Sequence, residues 1–238
     1  VVEVRTAEKA VHSGVFGGVF PDAVTTLARL LATLHTDDGD VAVPGLVSGE
    51  SDPLDLTEAE IRSAMGAVPG LSALGSGSLT GRMWTKPAIA VLAVDAPPLP
   101  QAINQLVPVA RAKVSMRIAP GQDPDDAMKA LRDHLIANIP WGAEVTITGV
   151  ESGEAFQLPL HGPAVDAFRA SMEQVWETDV VEMGVGGSIP FVADFSSRYP
   201  ESAILLTGAG DPTSAVHAPN ESQDLADLEM AVLAQVLA

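Results

Sequence analysis

The chain has 238 residues, 47% of them hydrophobic, and its 13 Lys and Arg against 31 Asp and Glu give a formal net charge of −18. This acidic balance argues against nucleic-acid and anionic membrane partners, because both are bound through clustered Lys and Arg. Cysteine is absent, which excludes thiol nucleophiles, disulfides and Cys-type zinc sites and fits a cytoplasmic protein. No run of about 18 apolar residues occurs, so the sequence predicts no membrane span.

The first 82 residues predict a strand, two helices and the loops between them. Residues 1–7 alternate and are β-branched, which is typical of a strand. The Gly-rich turn HSGVFGG then leads through Pro21 into a segment whose apolar residues keep helical spacing. Thr57 and Glu60 have the spacing of a capping box, which predicts the start of a short helix.

The next 70 residues complete an α+β pattern. Residues 88–94 form a continuous apolar run that predicts a strand, and the Pro-rich stretch 96–100 ends it. Residues 110–118 alternate strictly, with Arg117 on the polar face. A helix over 123–139 and a strand over 144–150 follow. The order of elements predicts an antiparallel sheet with helices on one face.

After about residue 152 the sequence offers too little for a separate domain. It predicts a helix over 162–177, a glycine cluster, one buried strand over 203–207 and a last helix from about residue 221. One or two strands in roughly 85 residues make a thin core, so this region is expected to be half of a domain. The chain also starts directly in a strand, without Met, so we expect it to be the C-terminal portion of a larger protein.

Ser188, in the segment GGSIP, is a candidate polar site residue but not a nucleophile in an elbow. That motif needs Gly two residues after the Ser, where this chain has Pro190. No Lys follows the glycines, which also argues against a phosphate loop. The ordinary alternative is a helix N-cap or a turn residue.

Three further residues stand in positions where sites are often built. His217 lies in a polar loop between an apolar segment and a helix. His12 follows a strand and opens the glycine-rich turn, and Arg117 precedes a turn, where its guanidinium can bind a carboxylate in two hydrogen bonds. Their ordinary alternatives are a surface histidine, a capping histidine and a surface arginine. No His-x-x-x-His or His-Glu-x-x-His spacing occurs, so the residues alone do not establish a metal site.

Five segments in chain order resemble one metallopeptidase family. They are VHSGVFGG, LTGRMWTKPAIAVLAVDA, ARAKVSMRIAPGQDP, GGSIPF and VHAPNES, and together they span nearly the whole chain. The family comprises carnosinase-like dipeptidases, aminoacylases, acetylornithine deacetylase and succinyl-diaminopimelate desuccinylase. The second segment is similar to the carnosinase-like branch in particular.

The resemblance implies a domain organisation and an activity. Residues 1–153 would be an α+β lid that mediates homodimerisation, and residues 154–238 would be the C-terminal segment of an α/β zinc-peptidase catalytic domain. The complete enzyme would use two zinc ions to hydrolyse a dipeptide or an N-acyl amino acid with a free carboxylate. The alternative is a non-catalytic dimerisation module.

The same resemblance assigns roles around the scissile bond. His217 would be the last metal ligand. His12 would reach into the partner's active site and polarise the scissile carbonyl. Asn104 or Gln105 would assist in substrate binding, and the sequence leaves the register between them open.

At the other end of the substrate, the resemblance implies that the terminal carboxylate is bound by Arg117, Gly187 and Ser188. Val185 stands where carnosinase-like relatives often have a Glu that meets the substrate amine, which puts strict dipeptide specificity in doubt. The family's other metal ligands belong upstream of HSG. The 238 residues alone are therefore expected to bind zinc poorly and to be inactive.

Overall fold

The computed structural model describes most of the chain, as two compact units. The described ranges are 1–51, 54, 56–149, 151–153, 155, 158, 160–184, 190–211, 214–216 and 219–238. The first unit contains the described residues of 1–54 and 72–155, and the second those of 55–71, 156–185 and 189–238. Within the described ranges, no helix has the length and apolar character needed to cross a membrane.

The first unit is built on a four-stranded antiparallel sheet and a separate two-stranded ribbon. The strands are β1 Val2–Arg5, β2 Val11–His12, β3 Ala88–Asp95, β4 Gln105–Leu106, β5 Val109–Arg117 and β6 Glu144–Ile147. The sheet has the order β3-β5-β1-β6, and β2 pairs with β4 in the ribbon. The antiparallel sheet predicted from the sequence is confirmed.

Helices pack on one face of this sheet, as the sequence predicts. Over both units, the described α-helices are α1 Ser13–Phe16, α2 Ala23–Ala32, α3 Glu58–Ala64, α4 Pro124–Ala137, α5 Pro163–Trp176, α6 Pro190–Arg198 and α7 Leu225–Leu237. Of these, α2 and α4 supply the core under the sheet. Leu27 and Leu30 of α2 and Leu135 of α4 are buried together with Val4 and Ala110 of the sheet. Fully burying one leucine contributes about 1.5–3 kcal/mol, so this cluster accounts for much of the stability of the unit.

Strand β5 shows why the alternating pattern predicted its orientation correctly. Ala110 and Ala112 are buried against the helices, while Arg111, Lys113 and Arg117 are exposed on the opposite face. The side chains of a strand alternate between its two faces. The same alternation therefore places the small residues under α2 and the basic residues towards solvent.

Strand β3 lies at an edge of the sheet, although its sequence is continuously apolar. Such runs are typical of strands covered on both faces, yet only Ile89 of β3 is buried. The pairing of β3 with β5 shifts register between Val91 and Ala93, which marks a β-bulge. The strand therefore leaves apolar surface uncovered at the edge.

Helix α3 begins with the capping box that the sequence predicts. Thr57 Oγ1 accepts a hydrogen bond of 3.3 Å from Glu60 N, and Glu60 Oε2 accepts one of 2.7 Å from Thr57 N. These bonds satisfy backbone donors that a helix start otherwise leaves without partners. The hydrogen bond from the Thr57 backbone lowers the pKa of Glu60, because it stabilises the carboxylate form.

The second unit packs α5 against α7. Ala231 and Ala234 of α7 are buried, whereas four larger apolar residues of this helix are exposed. These four residues are Leu225, Leu228, Val232 and Leu233. Helix α7 therefore turns its larger apolar side chains outward from the described part of this unit.

The strand predicted over 203–207 is wrong for the described structure. These residues have no regular secondary structure, and Leu205 and Leu206 are 39% and 46% exposed. A strand is stable only when a neighbouring strand satisfies its backbone groups, and no described segment of the second unit forms a ladder with 203–207. Apolar character alone therefore did not decide the structure here.

Candidate functional site

His12 lies on the β2–β4 ribbon, directly opposite Gln105. The register pairs Val11 with Leu106 and His12 with Gln105. Residues that face each other across antiparallel strands project to the same side, so the Gln105 side chain neighbours that of His12. Asn104 contributes its backbone carbonyl, which accepts a 3.1 Å hydrogen bond from Ser13 N. The register that the sequence left open thus favours Gln105 as the amide beside His12.

The His12 side chain caps helix α1. Its Nδ1 accepts a hydrogen bond of 3.0 Å from the Gly14 backbone N–H, and the residue is exposed. Among the described residues, none hydrogen-bonds to the other ring nitrogen, Nε2. The capping alternative is therefore correct as geometry, and it leaves one edge of the imidazole open to an external group.

Exposed apolar side chains follow His12 along the chain. Four large residues of the helix α1 region that follows it are exposed, namely Val15, Phe16, Val19 and Phe20. Clustered exposed apolar side chains often mark an interaction surface, whereas single ones are ordinary. His12 is thus followed by an exposed apolar segment suited to contact with another molecule.

Arg117 ends strand β5 and is exposed, opposite Ala88 of the edge strand. Arg111, on the same strand and face, donates to Glu3 at 2.7 Å and to Asp95 at 3.3 Å. The hydrogen bond with Glu3 raises the pKa of the Arg111 guanidinium. Arg117, by contrast, has no ion pair with any described residue, which leaves its guanidinium available to an external anion.

The structure does not bring His12 and Arg117 together within one chain. The His12 ribbon precedes β5, since β4 ends at Leu106 and β5 begins at Val109, whereas Arg117 lies at the far end of β5. At roughly 3.3 Å per residue, this nine-residue strand separates its two ends by about 26 Å. An extended dipeptide spans only about 7 Å.

The other predicted site residues, Gly187, Ser188 and His217, lie outside the described residues, as does Val185. In the part of the chain that is described, no three His, Asp or Glu side chains come together as a metal site. Zinc sites use three or four protein ligands, so the described donors do not fit a zinc ion.

Sequence reasoning did not identify the backbone amide of Gly14 as a partner of the His12 ring. The signal was present, because a residue that follows a strand and precedes a helical turn often caps that turn with its side chain. Histidine is less usual there than Ser, Thr, Asp or Asn, and the cap was therefore only one of the alternatives considered.

Comparison with known proteins gives consistent matches over the chain. Residues 2–143 match the family described as a peptidase dimerisation domain. The chain is 30% identical to a cysteinylglycine-S-conjugate dipeptidase of Corynebacterium striatum, over 98% of this chain and 52% of that protein. It is 22% identical to a Cys-Gly metallodipeptidase of Schizosaccharomyces pombe, over 94% of this chain and 50% of that protein. The chain spans about half the length of the curated relatives it matches.

Solved structures share the fold at low sequence identity. The dipeptidase Dug1p of Saccharomyces cerevisiae matches with a TM-score of 0.83 and 18% identity, over 99% of this chain and 52% of that chain. Human carnosine dipeptidase 1 matches with a TM-score of 0.79 and 18% identity, over 98% and 52%. These likenesses support the α+β fold described above.

Proposed function

Because the chain belongs to the peptidase dimerisation domain family, we propose that its 238 residues work within a longer, metal-dependent dipeptidase. The family resemblance predicted from five sequence segments is thereby confirmed, and the named relatives are dipeptidases of Cys-Gly and of cysteinylglycine conjugates. The proposed substrate is a dipeptide with a free carboxylate, with an N-acyl amino acid as the related alternative. The proposed reaction is hydrolysis of its amide bond.

The separation of His12 and Arg117 is the observation that carries this proposal. His12 lies on the ribbon that precedes β5 and Arg117 lies at the far end of β5, and this strand alone spans about 26 Å, several times the length of a dipeptide. Both can meet one substrate only if a second protomer supplies one of them. The proposed active site is therefore shared between two copies, with His12 acting in the partner's site.

The proposed homodimer forms along the free edge of β3. Val91 pairs with Val114 and Val94 with Ala112, so both lie on the face of the sheet that carries the helices. They are nevertheless 44% and 55% exposed, because the helix layer does not cover this edge. Edge strands with open backbone groups and apolar side chains favour pairing with another strand. A second copy would cover both features.

The second unit supports the proposed division after residue 153, except that it also contains the described residues of 55–71. Its helices expose large apolar side chains, among them Phe191 of α6 and Leu225 and Leu228 of α7. We assign residues 154–238 to the catalytic domain, where these side chains would pack against the rest of that domain. His217 would supply one ligand to its two zinc ions, and the other ligands would come from segments outside this chain.

Within that site the chain's own residues bind and orient the substrate. Arg117 would hold the terminal carboxylate in two parallel hydrogen bonds, assisted by Gly187 and Ser188. His12 of the partner subunit would donate a hydrogen bond to the scissile carbonyl oxygen as negative charge develops on it. Removing one such donor from other enzymes costs about 3–4 kcal/mol of transition-state stabilisation.

Mixing two inactive variants of the complete enzyme tests the shared site. In a dimer of His12→Ala with Arg117→Ala, one site has lost both residues and the other retains both. Random exchange of subunits should therefore restore roughly a quarter of the wild-type turnover, because half of the dimers are mixed and each has one intact site. No recovery, with subunit exchange demonstrated by mass spectrometry, would refute the shared site.

The alternative function is a dimerisation module without catalysis, which would share only the dimerising role of the family. The two candidate functions can be distinguished by measuring metal content and turnover. Under our proposal the 238 residues alone dimerise, bind zinc weakly and hydrolyse nothing, whereas the complete enzyme binds zinc and cleaves dipeptides. A complete protein that dimerises but neither binds zinc nor cleaves dipeptides would establish the module instead.

A further inference from the structure

The hydrogen bond between Gly14 and His12 determines which ring nitrogen carries the hydrogen. The Gly14 N–H points at Nδ1 of His12 at 3.0 Å, and a backbone N–H can only donate. The neutral imidazole has one donor and one acceptor nitrogen, and the nitrogen that accepts a bond must be the unprotonated one. The hydrogen of the neutral ring therefore lies on Nε2.

We propose that the Gly14 backbone amide is a positioning group that locks His12 in the tautomer with a hydrogen on Nε2. This inference rests on the proposed function, in which His12 donates to the scissile carbonyl oxygen. A ring with its hydrogen on Nδ1 would direct the lone pair of Nε2 at an oxygen that becomes negative, and would repel it. The fixed tautomer instead presents a donor before the substrate arrives.

The absence of a side chain at residue 14 is part of this arrangement. A Cβ on Gly14 would lie 3.0 Å from Cε1 and 3.3 Å from Nδ1 of His12. Both distances are shorter than ordinary contacts, so the exposed ring would have to move away from the amide. At Gly18, in the same turn, an added Cβ would meet nothing within 4 Å. Gly18→Ala is thus a matched control for Gly14→Ala.

Nuclear magnetic resonance of the 238-residue chain with ¹⁵N-labelled histidine and glycine tests the proposal at neutral pH. The His12 signals are assigned by their loss in His12→Gln. We expect Nδ1 to resonate as an unprotonated and Nε2 as a protonated ring nitrogen, with a scalar coupling between Nδ1 and the Gly14 amide nitrogen across the hydrogen bond. Gly14→Ala should lose the coupling and populate both tautomers, whereas Gly18→Ala should match the wild type.

A hydrogen on Nδ1 in the wild type, or no coupling between Nδ1 and the Gly14 nitrogen, would overturn the proposal. An unchanged spectrum in Gly14→Ala would remove the role of the glycine. The wild-type coupling needs no variant, so the test stands even if Gly14→Ala does not fold. None of these measurements needs turnover. If the coupling is found but His12→Ala leaves hydrolysis by the complete enzyme unchanged, the proposed function fails while the tautomer assignment stands.

Discussion

His134 on α4 hydrogen-bonds to both the carbonyl oxygen and the hydroxyl oxygen of Thr33, at the C-terminal end of α2. Its Nε2 lies 2.9 Å from the Thr33 carbonyl oxygen and 3.1 Å from Thr33 Oγ1. Since Oγ1 donates its own hydrogen to the Leu30 carbonyl at 2.7 Å, it must accept from the histidine, so Nε2 is the donor. The last carbonyls of a helix lack partners within it, and this bond satisfies one of them.

Replacing His134 by Ala should therefore lower the free energy of unfolding by about 1–3 kcal/mol, the usual cost of leaving a partly buried acceptor without its donor. Denaturant unfolding of the 238-residue chain measures this change. Lys129→Ala serves as the control on the same helix, because among the described residues the exposed side chain of Lys129 pairs with Asp133 alone, one turn away. Equal effects of the two substitutions would show that the bridge to Thr33 contributes nothing specific.

The carboxylate of Asp40 should make stability depend on acid. The hydrogen bond from the Ser76 backbone N–H, 3.0 Å from Asp40 Oδ1, holds the pKa of Asp40 below its ordinary value of 3.8. A lowered pKa in the folded state means that the stabilisation is complete above pH 3.8 and is lost as the pH falls through the folded-state pKa.

Asp40→Asn should accordingly flatten the loss of stability between neutral pH and about pH 3. The comparison is the change in denaturant midpoint between those conditions, in the wild type and in the variant. Asp37→Asn removes a charge from the same loop without touching the bond to Ser76, and it should retain the wild-type pH dependence more closely. A variant at position 40 that loses as much stability in acid as the wild type would contradict the assignment.

The sequence predicted those elements whose signals are local. The capping box at Thr57 and Glu60 and the alternation of β5 needed only neighbouring residues, and both are confirmed. The sequence did not predict contacts between elements that are distant along the chain. The neighbours of His134 along α4 are charged, but its hydrogen-bond partner Thr33 is 101 residues away. Spacing along one helix carries no information about such a contact.

The same limit applies to the candidate site. Residues 88–94 have the composition of a covered strand, and only the strand order shows that β3 is an edge. The choice between Asn104 and Gln105 also depended on register, which a two-residue strand does not specify by its pattern. The sequence could nominate His12 and Arg117 as site residues, but their separation follows only from the fold.

Dimerisation of the chain should depend on the exposed apolar edge of β3. Val94→Lys places a charge among the apolar side chains that a second copy would bury, so we expect it to shift the chain towards monomers. Ile136→Lys adds the same charge to the exposed surface of α4 and should leave the dimer intact. Sedimentation velocity over a range of concentrations measures both. A wild type that is monomeric throughout, or a Val94 variant that dimerises as well as the control, would place the interface elsewhere.

Gln105 and Asn104 should differ in their contribution to catalysis. Gln105 faces His12 across the ribbon, whereas the contact seen for Asn104 is made by its backbone carbonyl. Gln105→Ala should therefore reduce kcat/KM of the complete enzyme clearly more than Asn104→Ala, which keeps the carbonyl. Steady-state kinetics on one dipeptide compares the two. A larger loss from Asn104→Ala would assign the substrate-binding role to Asn104 instead of Gln105.

Arg117 and Arg111 provide the sharpest test of substrate recognition, because they share one strand and one face but differ in their partners. Arg111 is engaged by Glu3 and Asp95, while Arg117 has no ion pair among the described residues. A guanidinium can bind a carboxylate through two parallel hydrogen bonds, which the ammonium of Lys cannot reproduce. Conversion of each arginine to lysine therefore keeps the charge and removes only the bidentate geometry.

In the complete enzyme, Arg117→Lys should lower kcat/KM strongly on dipeptides with a free carboxylate and only slightly on the corresponding C-terminal amides, which lack the anion that Arg117 binds. Arg111→Lys should affect both substrates little, because its ion pairs are exposed and such pairs contribute modestly. The ratio of the two kcat/KM values, acid to amide, isolates recognition of the carboxylate from any general damage to the fold. If that ratio is unchanged in Arg117→Lys, then Arg117 does not bind the substrate carboxylate, whatever happens to the absolute rates.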